Sequence, residues 1–437
     1  MYINSCINSW CSNRNLKRGS YLLAHYSRIS LVIQLVLLLS MVAATAGLYA
    51  QPLTPTPLPR AAVLQLVQQR NITVEQATLR QEQARMLKGA SVDLGPTSIV
   101  WSGGQYNAPD FDNSFSIEQS VPFPTRLAAA HGQAEAAEAV AAIEKSLAVR
   151  SVTATAEGIM DRIAYQRDIL RILDQQDTLM QRAAVIAKRS FDAGQSPSVA
   201  LLTAETNASE ASMQRLQAEA DLVKAELELR VLCRDSAVTV LDSTLVRQPA
   251  YVQATLAKEF RVAAERRQQL AAEQYDYAAT EWWPYLTLAY TNQSLTGTLL
   301  PSGRESIGSD RFEFATVGIS LPLWFPATSS RIEASQVEQQ IIARTEQAEL
   351  LALDRRINML EQEFRVLQRA MDYYDGPSAT RIATLIEHAD RSYDAGDISW
   401  SEYQEAMETA LDVQRRRLDV LLRYNEVVIE LRQLTMN

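Results

Sequence analysis

At 437 residues, 47% hydrophobic and 21% charged, the chain is long enough to bury a sizeable core, and its 15 glycines and 15 prolines are too few for a disordered or low-complexity protein. A formal net charge of −9 disfavours nucleic acid as a partner. No Gly-rich phosphate loop, nucleophile elbow or zinc motif occurs, and beyond residue 50 the histidines His131 and His388 stand far apart without paired ligands, so the reading is no enzyme, no metal and no cofactor.

Residues 1–50 read as a secretory signal peptide. Arg14, Lys17, Arg18 and Arg28 precede an apolar run from Leu31 to Ala50 that closes on the small residues Ala46, Gly47 and Ala50. A retained membrane anchor is the alternative, because the run approaches the roughly 20 residues a span needs. The Pro-rich Gln51-Pro52-Leu53-Thr54-Pro55 fits an exposed mature N-terminus better, and no Cys follows the run to suggest a lipoprotein. Cleavage removes Cys6 and Cys11, makes the remainder more acidic and leaves Cys233 with no intrachain disulfide partner.

The rest divides into two similar halves, residues 51–250 and 251–437. The first opens on a helix near Ala61. A hairpin at about 95–122 follows, with Ser98-Ile99-Val100-Trp101 joined to Phe115–Val121 through a turn containing Gly103-Gly104-Gln105-Tyr106-Asn107. The hairpin ends on Val121-Pro122-Phe123-Pro124, and a helix then runs to a corner, Arg189-Ser190-Phe191-Asp192-Ala193-Gly194-Gln195-Ser196, with its tip at 192–197. Ser198 to Gln248 contains neither Gly nor Pro and reads as helix.

The second half repeats this order. Pro284–Thr291 and Arg311–Leu321 alternate as strands in a hairpin at about 284–323, joined by a polar loop with Pro301, Gly303 and Gly308. Leu286, Leu288 and Tyr290 share one face, as do Val317, Ile319 and Leu321. Leu321-Pro322-Leu323-Trp324-Phe325-Pro326 closes the hairpin, and a helix over Ala327 to Asp375 breaks at Asp375-Gly376-Pro377 before a second corner, Arg391-Ser392-Tyr393-Asp394-Ala395-Gly396-Asp397-Ile398-Ser399, with its tip at 394–399. In the last helix Val413, Val420, Val427 and Leu434 recur every seven residues, widened by Leu411, Leu418, Leu421 and Val428, which suits a bundle or helical barrel. A repeat of this length is not a solenoid period of about 20–50 residues. At each corner Gly supplies positive φ, and Ser two or three positions later is expected to cap the returning helix.

Strands of about ten residues with aromatic ends fit a transmembrane β-barrel, in which roughly 9–11 tilted residues cross. Trp101, Trp282, Trp283, Tyr285, Trp324 and Phe325 are the candidate interface aromatics. A small soluble sheet packed on the helices would alternate in the same way, and the signal peptide favours the barrel. Four strands cannot close a barrel and open edges are not tolerated in lipid, so several chains must pool their strands.

These corners and the Val-Pro-Phe-Pro, Leu-Pro-Leu and Pro-Tyr-Leu strand boundaries resemble those of the outer-membrane efflux proteins of the TolC type, over nearly the whole chain beyond the signal. The resemblance implies a mainly α fold with a small membrane β part: a duplicated helix, β-hairpin, helix, turn, helix repeat, in which four strands per chain enter a trimeric twelve-stranded barrel above a long α-helical barrel. It implies a homotrimer in the outer membrane of a Gram-negative bacterium, in contact with outer-membrane lipid, its helices in the periplasm. It would serve as the passive duct of a tripartite system with a periplasmic adaptor and an inner-membrane pump, of RND type. The corners would be docking tips, through Arg189, Asp192, Gly194, Ser196, Arg391, Asp394, Gly396 and Ser399. Glu402 and Glu405 match positions where the family carries acids at the pore entrance; spaced by three, they would project from one face and gather by threefold symmetry into a ring favouring cations. The first half has Val199, Ala200 and Thr203 there instead. A periplasmic adaptor and a structural trimeric coiled-coil surface protein are the alternatives; the first should have a single hairpin tip, the second one terminal set of strands.

Overall fold

The computed structural model describes residues 56–105, 109–241, 244–249 and 255–435. The candidate signal peptide lies outside the described residues, as do Tyr106 and Asn107 of the first hairpin turn. In chain order the elements are β1 (Thr56–Leu58), α1 (Arg60–Arg70), α2 (Ile72–Gly89), β2 (Thr97–Gly104), β3 (Asp112–Pro122), α3 (Pro124–Asp192), α4 (Ser198–Cys233), β4 (Val238–Val240), α5 (Lys258–Ala279), β5 (Tyr285–Gln293), β6 (Phe312–Ser320), α6 (Phe325–Tyr373), α7 (Ala379–Asp394) and α8 (Trp400–Leu434). The class is mainly α with a small β part.

Helix lengths follow from where the breakers fall. Pro124 and Pro326 stand in the first turns of α3 and α6, where a missing N–H costs nothing. From Pro124 no proline intervenes before Pro197, and α3 runs for 69 residues, on the order of 100 Å at about 1.5 Å per residue. Asn71 separates α1 from α2: its side chain accepts from the Thr73 N–H at 2.9 Å and donates to the Leu232 carbonyl at 3.1 Å. Asp375-Gly376-Pro377 forms a π-helical turn over Tyr374–Ser378, after which the helix resumes as α7. Asp375 is held there by Arg417 at 2.7 Å and Arg247 at 3.5 Å.

One expected helix is shorter than its lack of Gly and Pro implies. α4 stops at Cys233; Arg234 takes a left-handed conformation, φ 51°, and Asp235 accepts from the Ala237 N–H at 3.0 Å in an Asx turn. Val238–Val240, β-branched throughout, then pairs in parallel with Thr56–Leu58. This small sheet was not anticipated. Its strand β4 enters a core containing Val63, Val67, Ile159, Met160, Ile163 and Leu229. A second core gathers Leu360, Phe364 and Met371 of α6 with Leu421, Tyr424, Val427, Val428 and Leu431 of α8. The expected seam of α8 is present: Leu411, Leu418, Leu421, Val427, Val428 and Leu434 are buried, and Val413 and Val420 are half-buried.

The larger sheet has the order β2-β3-β5-β6, antiparallel throughout. Its central pairing joins the two hairpins, Ile117 opposite Tyr290 and Val121 opposite Leu286. β2 and β6 are its edges.

Candidate functional site

Two regions carry the candidate residues: the four-stranded sheet and the pair of helical corners. Register sorts the sheet into two faces. One carries the rows Ile99, Ile117, Tyr290, Ala315 and Val121, Leu286, Ile319, with Leu288 beside Val317 between them. Ile99 is 65% exposed, Val317 74% and Ile319 64%, an exposed and mainly apolar surface broken by Thr97 and Gln119 in the row of Leu288 and bounded by Asn292 and Glu313 towards the loop end. The opposite face is largely hydroxyl-bearing, with rows such as Ser120, Thr287, Gly318 and Ser98, Glu118, Ala289, Thr316, interrupted by Val100 and Phe314. Nine residues at about 3.3 Å, tilted by about 40°, cover about 23 Å, close to the roughly 25 Å band of an outer-membrane barrel.

Aromatic side chains gather at both ends of this apolar surface. At the helix end Phe123 stacks on Trp283 at 4.8 Å between centroids, Trp282 on Phe325 at 5.7 Å, and Arg126 lies 5.0 Å from the Tyr277 ring and 5.5 Å from that of Tyr285. Trp324 is exposed beside them. Trp101 pairs with Phe115 near the loop end. There, buried Asp112 ties β3 to the β5–β6 loop, accepting from the Thr296 N–H at 2.9 Å, the Thr296 hydroxyl at 2.8 Å and the Ser294 hydroxyl at 3.0 Å. In that loop Arg304 clamps Asp310, and this guanidinium, with the Ile307 N–H, lowers the Asp310 carboxyl to about 2. Among the described residues no helix is long and apolar enough to cross a membrane.

The corners are built alike. At the first, the Gln195 N–H donates to the Ser190 carbonyl and the Gly194 N–H to Phe191, each at 2.8 Å; at the second, Asp397 donates to Ser392 at 2.8 Å and Gly396 to Tyr393 at 3.0 Å. These are Schellman caps, and they require the left-handed glycines, Gly194 at φ +72° and Gly396 at φ +79°. Arg189, Asp192, Arg391 and Asp394 are exposed in the last turns of α3 and α7. Arg391 pairs with Glu387 one turn back; Arg189 has no ion-pair partner among the described residues.

The returning helices start differently, which corrects one expectation. Ser399 caps α8 in a capping box: the Glu402 N–H donates to its Oγ at 3.3 Å, and its own N–H donates to Glu402 Oε2 at 2.7 Å. Ser196 does not cap α4. Counted from each glycine, the residue at the position of Ser399 is Pro197, which caps without a side-chain bond, and Ser196 falls one residue early with its Oγ buried and unbonded. Glu402 is therefore committed to its own helix start, where the Ser399 N–H and hydroxyl hold its carboxyl below the ordinary range. Glu405 remains exposed without that engagement, so the structure separates the two acids.

Two features of the corners had no part in the sequence reading. Tyr393, Trp400 and Tyr403 form an aromatic cluster, Tyr393 stacking on Tyr403 at 4.8 Å, and Trp400 and Tyr403 pack against Leu179, Met180, Ala208 and Ala211 of the first helical hairpin. Trp400 and Tyr403, three apart after a cap, were a legible signal. At the first corner Phe191, Val199 and Leu202 are exposed instead. Among the described residues no cluster of His, Cys, Asp or Glu could hold a metal ion.

No protein-family model and no curated protein sequence matches the chain. Solved structures do. The CmeC outer membrane channel of Campylobacter jejuni matches at TM-score 0.65 and 14% identity, over 88% of this chain and 89% of that one. VceC, an outer membrane protein of Vibrio cholerae, matches at TM-score 0.68 and 14% identity, over 85% and 94%. The open state of the MtrE outer membrane channel of Neisseria gonorrhoeae matches at TM-score 0.61 and 16% identity, over 88% and 92%. The helices, corners and four-stranded sheet of this chain thus compose the TolC-type outer-membrane-channel fold.

Proposed function

We propose that three copies of this chain assemble into an outer-membrane channel, a passive duct of a tripartite efflux or secretion system. The observation that carries this reading is the four-stranded sheet with one exposed apolar face, one polar face and two unpaired edges. A water-soluble protein would leave that apolar face wet and both edges open. Three copies joined β2 to β6 would satisfy every edge, put the apolar face against lipid and enclose the polar face around water. Similarity in fold to outer membrane channels supports the same assembly.

In this reading residues 1–50 direct export and are removed, and residues 51–250 and 251–437 are the two halves of each chain. The α3–α4 and α7–α8 hairpins extend into the periplasm of a Gram-negative cell, and their corners are the end at which a periplasmic adaptor docks. The adaptor links the duct to an inner-membrane pump, which supplies the energy and selects the cargo; the chain itself is not an enzyme. Arg189, Asp192, Gly194 and Ser196 with Arg391, Asp394, Gly396 and Ser399 present the docking surface, and of the acids Glu402 and Glu405 at the entrance it is Glu405, free of the capping box, that acts on passing solutes. Gating is a population shift between helix packings biased by adaptor contact. A periplasmic adaptor is disfavoured, because the chain has two equivalent corners and a hairpin of strands inside each half.

Purification from the outer-membrane fraction tests the reading. A trimer that migrates as such until heated supports it; a water-soluble monomer overturns it.

A further inference from the structure

The polar face of the sheet is almost uncharged. Between Asp112 at the loop end and Tyr285 at the helix end, Glu118 is the one ionisable side chain on that face among the described residues. It sits next to the middle of β3, flanked in register by Ser98 and Ala289, with Thr316 one strand further. It is exposed and has no ion pair or hydrogen-bond partner among the described residues. A carboxylate held by nothing on a hydroxyl-lined surface acts on whatever passes it.

Resting on the trimeric duct proposed above, we infer that Glu118, repeated three times around the barrel, is the electrostatic filter of the membrane segment and favours cationic over anionic solutes. Twelve strands about 4.8 Å apart and tilted by about 40° close at a backbone radius of about 12 Å. A glutamate reaching about 4–5 Å inward places its carboxylate about 7–8 Å from the axis, within the Debye length of about 8–10 Å at 0.1–0.15 M salt. The three fields therefore overlap across the whole opening at physiological salt and separate at 1 M, where the Debye length is about 3 Å. Glu405 cannot stand in for this ring: α3 alone, spanning sheet to corner, is on the order of 100 Å long, many Debye lengths.

The test is made on the assembled protein in vesicles and does not depend on whether the periplasmic end is open. Ser98→Cys places a thiol directly opposite Glu118, while Cys233 is buried and silent. The reagents are two thiosulfonates of similar size added from outside, one carrying a quaternary ammonium and one a sulfonate. Each rate is divided by that reagent's rate with a small free thiol, which removes the bias of the thiolate's own charge, and at 0.1 M salt the cationic reagent should then react several-fold faster than the anionic one. Adding Glu118→Gln should bring the ratio towards one, Glu118→Lys should invert it, Glu118→Asp should keep it, and 1 M salt should flatten all four. A ratio that ignores residue 118 while both reagents react overturns the filter and leaves the duct standing. A thiol that reacts with neither reagent means the polar face does not line water, which overturns duct and filter together.

Discussion

Gly194 and Gly396 show how much of each corner rests on one backbone angle. A Cβ added at either would meet nothing within 4 Å, so the cost of substitution is conformational and not steric crowding by neighbours. Gly→Ala at either corner should cost about 1–2 kcal/mol, the price of the left-handed region for an L residue. Gly→Asn should cost less, because Asn tolerates that region. Thermal unfolding of the purified protein checks both. The capping box adds an acid-sensitive element to the second corner alone. Ser399→Ala should cost about 1 kcal/mol. Bonds from Ser399 lower the folded value of Glu402, so the contribution of this box is complete above about pH 4.5, the ordinary glutamate value, and disappears as pH falls through the lowered one. Protection of the Ser399 and Glu402 amides, relative to the intrinsic exchange rate at each pH, should fall in that acid range, with no such change in the first turn of α4. The sequence Ser399-Trp400-Ser401-Glu402 spells a capping box, so this role of Glu402 was legible. At the first corner the third position after the glycine is Pro197, which has no side-chain oxygen, so Ser196, one residue earlier, forms no cap.

At the scale of elements, the packed helices were plain from the absence of Gly and Pro, and their ends were not. α4 ends at Cys233 because Asp235 offers the backbone a turn and Val238–Val240 find a strand partner far away in sequence. Neither fact has a local signature strong enough to outweigh helix-forming composition. The segment after it is held by Asn425 of α8, which is fully buried: its Oδ1 accepts from the Gln248 N–H at 2.9 Å and its Nδ2 donates to the Val246 carbonyl at 2.8 Å. Asn425→Ala orphans both backbone groups, at about 1–3 kcal/mol each. A loss of about 2–6 kcal/mol in denaturant unfolding is expected, and Asn425→Asp should cost no less, because it turns a buried carboxyl towards the Val246 carbonyl and Asp161. The nearby ion pairs are more conspicuous and weaker. Arg417 and Arg247 reach Asp375 across the π turn with side chains 40% and 30% exposed, and solvent screening limits such a pair to about 0–1 kcal/mol. Arg417→Gln should therefore speed amide exchange around residues 374–380 while shifting global unfolding little. A larger global effect than that of Asn425→Ala would reverse this ranking.

For the whole molecule, the decisive property is a sheet that exposes an apolar face and leaves both edge strands unpaired. Alternation in Pro284–Thr291 and Arg311–Leu321 made the strands legible, but it could not say that the first hairpin would dock on the second through β3 and β5; that follows only from register, which puts Ile117 beside Tyr290 and every apolar row on the same side. Once the faces are fixed, neighbouring residues on β6 should respond in opposite ways to the same charge. Val317 lies on the apolar face and Thr316, next to it, on the polar one. A lysine turned towards lipid near mid-membrane costs about 2–4 kcal/mol per chain, a penalty multiplied by three in the proposed trimer. Val317→Lys should therefore abolish the heat-modifiable trimer in the outer-membrane fraction, although the long helices, which do not touch that residue, still fold. Thr316→Lys should assemble normally, because water receives the ammonium. The same lysine, in the row of Glu118, should also offset the preference for cations. Were the two variants to exchange outcomes, the apolar face would have to be covered by protein and the polar face by lipid, and no cylinder built from these strands could enclose water.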